Sequence, residues 1–228
     1  MAVSQYLEHL GIQIASGLVI NTSHVNKFGY NESVGNSFET IHDEGGIYNY
    51  ISTAGVASVA GASDAGAIIN VQGLDENYDQ VNENITVGNT STTNFIRVFR
   101  AQVVSLASGT VNAGDITVTV DGAVRATIEA GKGQTLMALY TIPRKTQGYL
   151  VKFQGSVDKS QDIIFKLFAR ETDSVFNVKG QFGTFGVPIT YDYPIPLMFK
   201  EKTDIEVRAK AGSTAGCGAI FDLILVRK

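Results

Sequence analysis

From Ala67 to the end of the chain, apolar and polar residues alternate with a period of two, and turn residues recur about every ten residues. Ile116, Val118 and Val120 alternate with threonines, which gives a strand one dry face and one wet face. Asp121-Gly122 then separates two such runs and is a typical hairpin turn. No long amphipathic helix is visible after residue 20. The pattern therefore predicts an all-β fold, with an antiparallel β-sandwich or jelly-roll-like body.

The same alternation predicts where the strands of this body lie, because each run ends at a turn signal. The predicted strands are 67–73, 80–87, 95–105, 115–120, 124–130, 135–142, 148–157, 162–170, 175–178, 189–199, 204–211 and 219–226.

The first 66 residues differ from this body. Residues 1–20 place leucine and isoleucine at helix-like spacings and contain two glycines, so they predict either a short N-terminal helix on the body or an extended arm that docks on a neighbouring subunit. Residues 21–66 are rich in Asn, Gly, Ser and Ala, and for them we expect an extended segment without a packed interior. The predicted division is an N-terminal arm and extended segment over 1–66, and a β-sandwich body over 67–228.

Composition argues against several classes of function. The 228-residue chain has a formal net charge of −4, whereas proteins that bind nucleic acid cluster Lys and Arg. A single cysteine, Cys217, rules out an intrachain disulfide framework and a cysteine-based zinc site. No apolar run reaches the roughly 18 residues of a membrane span, and the start has no basic region typical of a signal peptide. We therefore expect no nucleic-acid partner and no membrane partner.

The motifs of known enzymes are incomplete. The chain lacks the Gly-x-Ser-x-Gly sequence of hydrolases, and its three histidines, His9, His24 and His42, all precede the predicted body, so a catalytic triad is not expected. Gly131-Lys132-Gly133 lacks both the earlier glycine and the Ser or Thr of a phosphate-binding loop, and we interpret it as a turn. A spatial pair of carboxylates that would cleave glycans stays open, because the sequence gives no distances.

The sequence evidence for ligand-binding residues is equally weak. Asp75, Asn77 and Asp79 alternate like the start of a calcium loop, but the sixth and twelfth positions lack the required Gly and Glu. A solvated turn is favoured over a loose calcium site. We interpret His42 with its two acidic neighbours as structural, Cys217 as a small buried thiol, and Arg97 and Arg100, which flank Phe99, as ordinary strand residues. No catalytic, cofactor-binding or metal-binding residue is predicted, no cofactor is expected, and the chain is not expected to be an enzyme.

A set of segments occurs in a fixed order from residue 26 onward: NKFG (26–29), FETIHDEGGIY (38–48), GLDENY (73–78), FIRVFR (95–100), NAGDIT (112–117), AGKGQTLMALYTIP (130–143), EKTDIEVRA (201–209) and FDLILV (221–226). Together they resemble a family of tailed-bacteriophage virion structural proteins. The resemblance implies a component of the virus particle, without distinguishing head, neck and tail.

This resemblance and the motif-free β chain predict a non-enzymatic virion structural protein, and within that class a head decoration or cement protein. Its expected partners are the major capsid protein or other virion proteins, together with further copies of itself in a homo-oligomer. Its expected location is the virion, assembled in the host cytoplasm. Two alternatives stay open: a neck, tail or fibre-attachment protein that contacts host surface glycan, and a glycan hydrolase of the tail.

Overall fold

A computed structural model describes residues 22–227, which form fifteen β-strands and one short 3-10 helix. The helix is η1 (Ala62–Asp64), and the strands are β1 (Thr22–Val34), β2 (Glu39–Thr40), β3 (Gly55–Ala60), β4 (Ile68–Asp75), β5 (Gln80–Thr86), β6 (Thr90–Ser105), β7 (Ile116–Val120), β8 (Ala123–Ile128), β9 (Leu139–Thr141), β10 (Thr146–Val157), β11 (Asp162–Arg170), β12 (Asn177–Phe185), β13 (Ile189–Phe199), β14 (Asp204–Ala211) and β15 (Ala215–Arg227). Within these residues, no helix is long and apolar enough to cross a lipid bilayer.

The strands form three sheets, and every strand pairing is antiparallel. The four-stranded sheet has the order β1-β15-β10-β13, and the five-stranded sheet has the order β12-β11-β14-β2, with β9 also paired to β14. The six-stranded sheet has the order β5-β4-β6-β3-β7-β8. The prediction of an all-β antiparallel fold is confirmed.

The four-stranded and five-stranded sheets pack face to face as a sandwich. Phe153 of β10 lies between the sheets, with its ring centroid 5.9 Å from that of Phe165 in β11 and 4.6 Å from that of Phe182 in β12. Gly155 permits this close packing, because a Cβ atom there would lie 2.8 Å from the Phe165 ring. Inward-facing positions on β11 are buried and alternate with more exposed positions, as the period-two pattern predicts.

Buried charges join the six-stranded sheet to the sandwich. Asp204 of β14 has a side chain that is only 3% exposed, and its carboxylate accepts hydrogen bonds from Arg97 of β6 (2.8 Å) and Arg170 of β11 (2.6 Å). Thr141 also donates its hydroxyl to Asp204, at 2.6 Å. The hydroxyl of Tyr48 donates to the carbonyl of Val98 in β6 at 3.0 Å. We call the group Arg97, Thr141, Arg170 and Asp204 the Asp204 junction.

The expectation that residues 21–66 lack a packed interior is wrong. Over 22–66, β1, β2 and β3 enter all three sheets, and β3 lies between β6 and β7. Val34, Ile41, Ala57 and Val59 are buried in the core. The small residues in this segment let backbones approach closely and do not indicate a lack of packing. The predicted N-terminal helix or arm over 1–20 lies outside the described residues, and the domain boundary between residues 66 and 67 stays a prediction.

Within the body, the predicted strands agree closely with the observed ones, and the strands over 162–170, 189–199 and 204–211 coincide with β11, β13 and β14. There are two exceptions: within 135–142 only β9 is a strand, and the strand predicted over 175–178 overlaps β12 (Asn177–Phe185) by two residues only. The backbone of residues 135–142 bonds in turn to several elements, so it forms no long ladder. Ala101 accepts from Thr135, and Ile41 accepts from Ala138.

Candidate assembly surface

The two lateral edges of the sandwich differ in what lies beside them. We call the edge formed by β1 and β2, together with residues 134–142, the covered edge. There Tyr30 donates its backbone N–H to the Leu136 carbonyl at 3.3 Å, and Ala138 donates to the Ile41 carbonyl at 2.9 Å. Val207 of β14 in turn donates to the Ala138 carbonyl at 3.0 Å. Residues 134–142 therefore pair with backbone groups that a free edge would expose.

The opposite edge, formed by β12 and β13 with their connection at 186–188, we call the bare edge. Among the described strands, β12 pairs only with β11, and β13 pairs only with β10. The outer side of each strand therefore presents backbone N–H and C=O groups that no described strand uses. Unpaired strand edges are templates for pairing with another chain.

Exposed apolar side chains are concentrated around the bare edge. Eight of the fourteen exposed large hydrophobic residues in the described part of the chain fall between residues 164 and 198: Ile164, Val175, Val178, Phe185, Val187, Tyr191, Ile195 and Met198. Ile195 and Val175 are the most exposed, at 75% and 74%. A concentration of this kind marks a binding surface more often than a scatter of single residues does.

A proline-flanked bulge in β13 presents Ile195. The pairing of β10 with β13 passes from Leu150 opposite Leu197 to Lys152 opposite Asp192, so residues 193–196 bulge out of the ladder. Pro194 and Pro196 flank Ile195, and proline fixes its own backbone φ angle and donates no N–H. The bulge thus holds Ile195 outward on a stiff backbone and also blocks continuous pairing along β13.

The edge strand β12 has weaker protection: its pairing with β11 passes from Gly180 opposite Leu167 to Val178 opposite Phe168, so only Lys179 bulges out of the ladder. It contains no proline, and its outward positions include Phe185, which is 60% exposed. Its inward side is anchored because the Phe182 ring lies 5.4 Å from Tyr191 of β13, which in turn lies 4.8 Å from Tyr193. The bare edge therefore combines an ordered aromatic layer with one strand, β12, whose outer side no strand of residues 22–227 pairs.

A cavity of about 340 Å³ opens where the bare edge meets the loops that follow β11. Its lining combines charged or polar side chains with apolar ones, including Glu171, Lys179, Leu197 and Met198. The cavity extends the surface that a partner would contact.

The residues considered for metal or catalytic chemistry do not converge. The Asp75 carboxylate accepts hydrogen bonds from the backbone of Asn77 and Asp79, at 2.8 and 2.9 Å, and so closes its own turn. Asp79 instead pairs with Arg144. Within residues 22–227, no three His, Cys, Asp or Glu side chains are grouped so that they could hold a metal ion.

Two buried groups that the sequence singled out have shifted pKa values. Burial lowers the pKa of His42 to about 4, and its Nδ1 accepts from the Glu44 backbone at 3.1 Å. Burial raises the pKa of Cys217 to about 12, which keeps it a thiol and not a nucleophilic thiolate. His24 is exposed, with its Nε2 atom 3.4 Å from Asp222. His9 lies outside the described residues.

The basic residues that the sequence singled out, Lys132, Arg97 and Arg100, lie in three different parts of the structure. Lys132 pairs with Glu32 at 3.2 Å and with Glu129 at 3.6 Å. Arg97 belongs to the Asp204 junction, whereas Arg100 lines a different cavity. Sequence reasoning missed the junction, and no spacing signal could have found it, because Arg97 and Asp204 are more than a hundred residues apart.

Comparison with known proteins assigns no family. No protein-family model matches the sequence, and no curated protein matches it. A structure of infectious bursal disease virus, Gt strain, has 10% sequence identity to this chain and a TM-score of 0.28. The alignment covers 93% of this chain and 74% of the viral chain. The VP2 subviral particle of the same virus aligns with 100% of this chain and 82% of its own at 9% identity and a TM-score of 0.20. Similarity this low carries no functional argument.

Proposed function

We propose that this chain is a non-enzymatic structural subunit of a virus particle of the tailed-bacteriophage class, where it decorates the head and cements the capsid shell. The observation that carries the proposal is the bare edge, where eight exposed apolar side chains lie around two strands whose outer sides no described strand pairs. The ordered set of phage-like segments in the sequence supports the viral context. In this proposal the bare edge binds a second copy of the chain.

The unbroken part of β12 makes a second copy the best occupant, because its pairing with β11 is continuous over residues 180–185. Because β13 is interrupted by its bulge and prolines, an added strand finds its partner groups on β12. Two β12 strands can pair antiparallel about a two-fold axis, which gives both copies the same interface. Phe185 and Ile195 would then enter the contact, and burying an exposed side chain of this size contributes roughly 1.5–3 kcal/mol.

Repetition on a particle suits such contacts. Linking several weak contacts raises the effective affinity by roughly 10²–10⁴ over one contact. A protein that works in this way needs shape and adhesive surface, and it needs no cofactor. The same proposal includes a contact between this chain and the major capsid protein.

Sedimentation velocity of the purified full chain tests the self-association. We expect a concentration-dependent oligomer for the wild type, and about 10-fold to 100-fold weaker association for Ile195→Asp, because the new carboxylate would be buried against apolar groups. Val124→Asp is the matched control, since Val124 is exposed on β8, away from the bare edge. A wild type that stays monomeric at high concentration, or an equal effect of Val124→Asp, overturns the proposed interface.

The amount of the protein in purified particles tests its place. The copy number per particle is measured against that of the shell protein. Hundreds of copies per particle support head decoration, whereas some tens or fewer indicate a neck, tail or fibre-attachment protein. Absence from infectious particles contradicts a virion role. Cleavage of a host glycan that is lost on changing one Asp or Glu would replace the structural proposal with an enzymatic one.

A further inference from the structure

The inner side of β1 carries a lysine that the assembly proposal leaves unexplained. Residues alternate across β1, and Lys27 falls on the buried side, with only 6% of its surface exposed. Its Nζ donates to the Phe99 carbonyl and lies 5.6 Å from the centroid of the Phe99 ring. No carboxylate of residues 22–227 forms an ion pair with Lys27.

A cavity of about 240 Å³ adjoins this lysine, between β1 and the six-stranded sheet. We call it the Lys27 cavity. Its polar lining consists of cations, amides, an imidazole and a phenol and includes no carboxylate: His24, Asn26, Lys27, Gln72, Gln80, Arg100 and Tyr140. The lining is therefore rich in hydrogen-bond donors, and it includes the basic side chains of Lys27 and Arg100.

The lining is held in place by its own hydrogen bonds. Arg100 donates to the Gln134 side chain at 2.6 Å, and Gln80 donates to the Tyr140 hydroxyl at 2.8 Å. Arg100 uses one of its five N–H donors in that bond, and the Lys27 ammonium uses one of its three in the bond to Phe99. Donors remain at both cations for a further acceptor.

Burying an ammonium group without an anion is costly. Burial, with a further contribution from the Arg100 charge, lowers the pKa of Lys27 to about 7. An anion in the cavity would offset this cost, because it would attract both cations and accept from their remaining donors.

We propose that the Lys27 cavity binds a small oxyanion, either a tetrahedral anion such as sulfate or phosphate or the carboxylate of a small acid. The volume fixes the size class, because sites for drug-sized ligands span roughly 300–1,000 Å³ and this cavity is smaller. Lys27 and Arg100 neutralise the charge, and the amides of Gln72 and Gln80 accept or donate to the remaining oxygen atoms.

Isothermal titration of the full chain at constant ionic strength tests the site, with sodium sulfate as the tetrahedral probe, sodium acetate as the carboxylate probe and sodium chloride as the ionic-strength control. Saturable binding of sulfate or acetate supports the proposal, and the tighter of the two identifies the anion geometry. Binding of neither anion overturns it.

Variants locate the binding. Lys27→Met removes the buried charge but keeps an apolar side chain of similar length, so we expect it to fold, and we expect about 10-fold to 100-fold weaker binding from the loss of a charge-assisted hydrogen bond. Arg100→Gln should weaken binding in the same direction and provides a second test should Lys27→Met fail to fold. Lys200→Met is the matched control, because Lys200 is exposed and pairs with Glu171 outside the cavity. Equal binding by the wild type and both cavity variants contradicts the site.

The pH profile separates Lys27 from its neighbours. Sulfate keeps its charge from pH 5.5 to 8.5, so we expect its affinity to fall about tenfold as pH rises through about 7 and Lys27 loses its proton. The other ionisable groups of the lining are His24 from β1, Arg100 from β6 and Tyr140 from β9. Asp222 of β15 lies beside the lining, where its carboxylate accepts from Asn26 at 2.6 Å and is 3.4 Å from the His24 Nε2 atom. His24→Gln is the control because it removes the imidazole from the lining, and loss of the pH dependence in His24→Gln would overturn the role of Lys27.

One carboxylate of the chain outside the described residues also requires a control. Glu8 is the only acidic residue in 1–21. If Glu8→Gln binds sulfate and the wild type does not, the cavity serves an internal ion pair, and the proposal of an external anion is wrong.

Discussion

The covered and bare edges of the sandwich satisfy the same requirement in different ways. Both consist of strands whose outer backbone groups need partners. At the covered edge, residues 134–142 supply those partners from the same chain. At the bare edge no described segment does so, and exposed apolar side chains lie beside the strands. Coverage by the rest of the chain, and not the alternation within a strand, therefore sets which backbone groups of an edge stay accessible to a partner.

The interiors of the two edges also differ. Near the covered edge, the Asp43 carboxylate accepts from the Leu136 backbone at 2.6 Å and the Thr40 hydroxyl accepts from the Tyr48 backbone at 3.0 Å, whereas the buried Nε2 atom of His42 has no partner among the described residues. Under the bare edge, the buried hydroxyl of Tyr193 also has none among those residues. Hydrogen bonds thus contribute to the order of the covered edge, whereas contacts between aromatic rings order the bare one.

The largest difference in the free energy of unfolding should come from removing a buried charge that contacts the covered edge. Asp204→Ala leaves Arg97 and Arg170 without their shared carboxylate, so we expect a loss of about 3–5 kcal/mol in the free energy of unfolding, measured by urea denaturation. Asp192→Ala is the control, because Asp192 is exposed on β13 at the bare edge, and it should change the free energy by at most about 0.5 kcal/mol. Similar losses for the two variants would contradict the comparison.

The second largest difference in stability should come from adding one methyl group to a glycine at each edge. In Gly29→Ala the new Cβ would lie 2.5 Å from the Ile41 carbonyl oxygen and closer still to the Ala138 backbone nitrogen. Since neither is a flexible group, we expect a loss of about 1–3 kcal/mol. In Gly183→Ala on β12 the nearest atom is the Ile163 carbonyl oxygen at 3.9 Å, so stability should change little. Thermal unfolding of both variants checks the comparison, and a tolerated Gly29→Ala would disprove close coverage of β1.

The smallest effect expected is a pH dependence confined to the covered edge. Burial raises the pKa of Asp43 to about 7, so its contribution to stability is full below about pH 4 and is lost as pH rises through about 7. His42 does the opposite, since burial lowers its pKa to about 4: its contribution is full above about pH 6.5 and is lost as pH falls toward 4. The two trends oppose each other in the wild type.

Single variants should expose each trend. Between pH 4 and 7 we expect the free energy of unfolding of Asp43→Asn to rise relative to the wild type, and that of His42→Gln to fall, each by on the order of 1 kcal/mol. Urea denaturation across this range measures both slopes. Asp192→Asn at the bare edge should reproduce the wild-type profile, and parallel profiles for all four proteins would show that neither buried group is coupled to folding.

Sequence patterns predicted the body well and the N-terminal part poorly. The strands over 162–170, 189–199 and 204–211 have an apolar residue at every second position, so their bounds could be predicted. In β1 and β3 the pattern is diluted by Gly, Asn, Ser and Ala, although both strands pair extensively. Small residues signal loops and close backbone contacts alike, and only the neighbouring strands distinguish the two.

The candidate sites were harder to predict than the fold. The Pro194-Ile195-Pro196 run is visible in the sequence, but its role depends on the bulge opposite β10. Lys27 likewise looks like an ordinary strand residue until the Phe99 carbonyl and Arg100 are placed beside it. Both features join residues that are distant along the chain.

The sequence alone determined that this chain is an antiparallel β protein, because side-chain alternation is a local property with a period of two. The packing of the folded chain sets which strand edges are covered, which arginines share the Asp204 carboxylate, and which lysine is buried without an ion pair among residues 22–227. Those properties depend on the distances between segments far apart in the chain, and local patterns do not encode such distances.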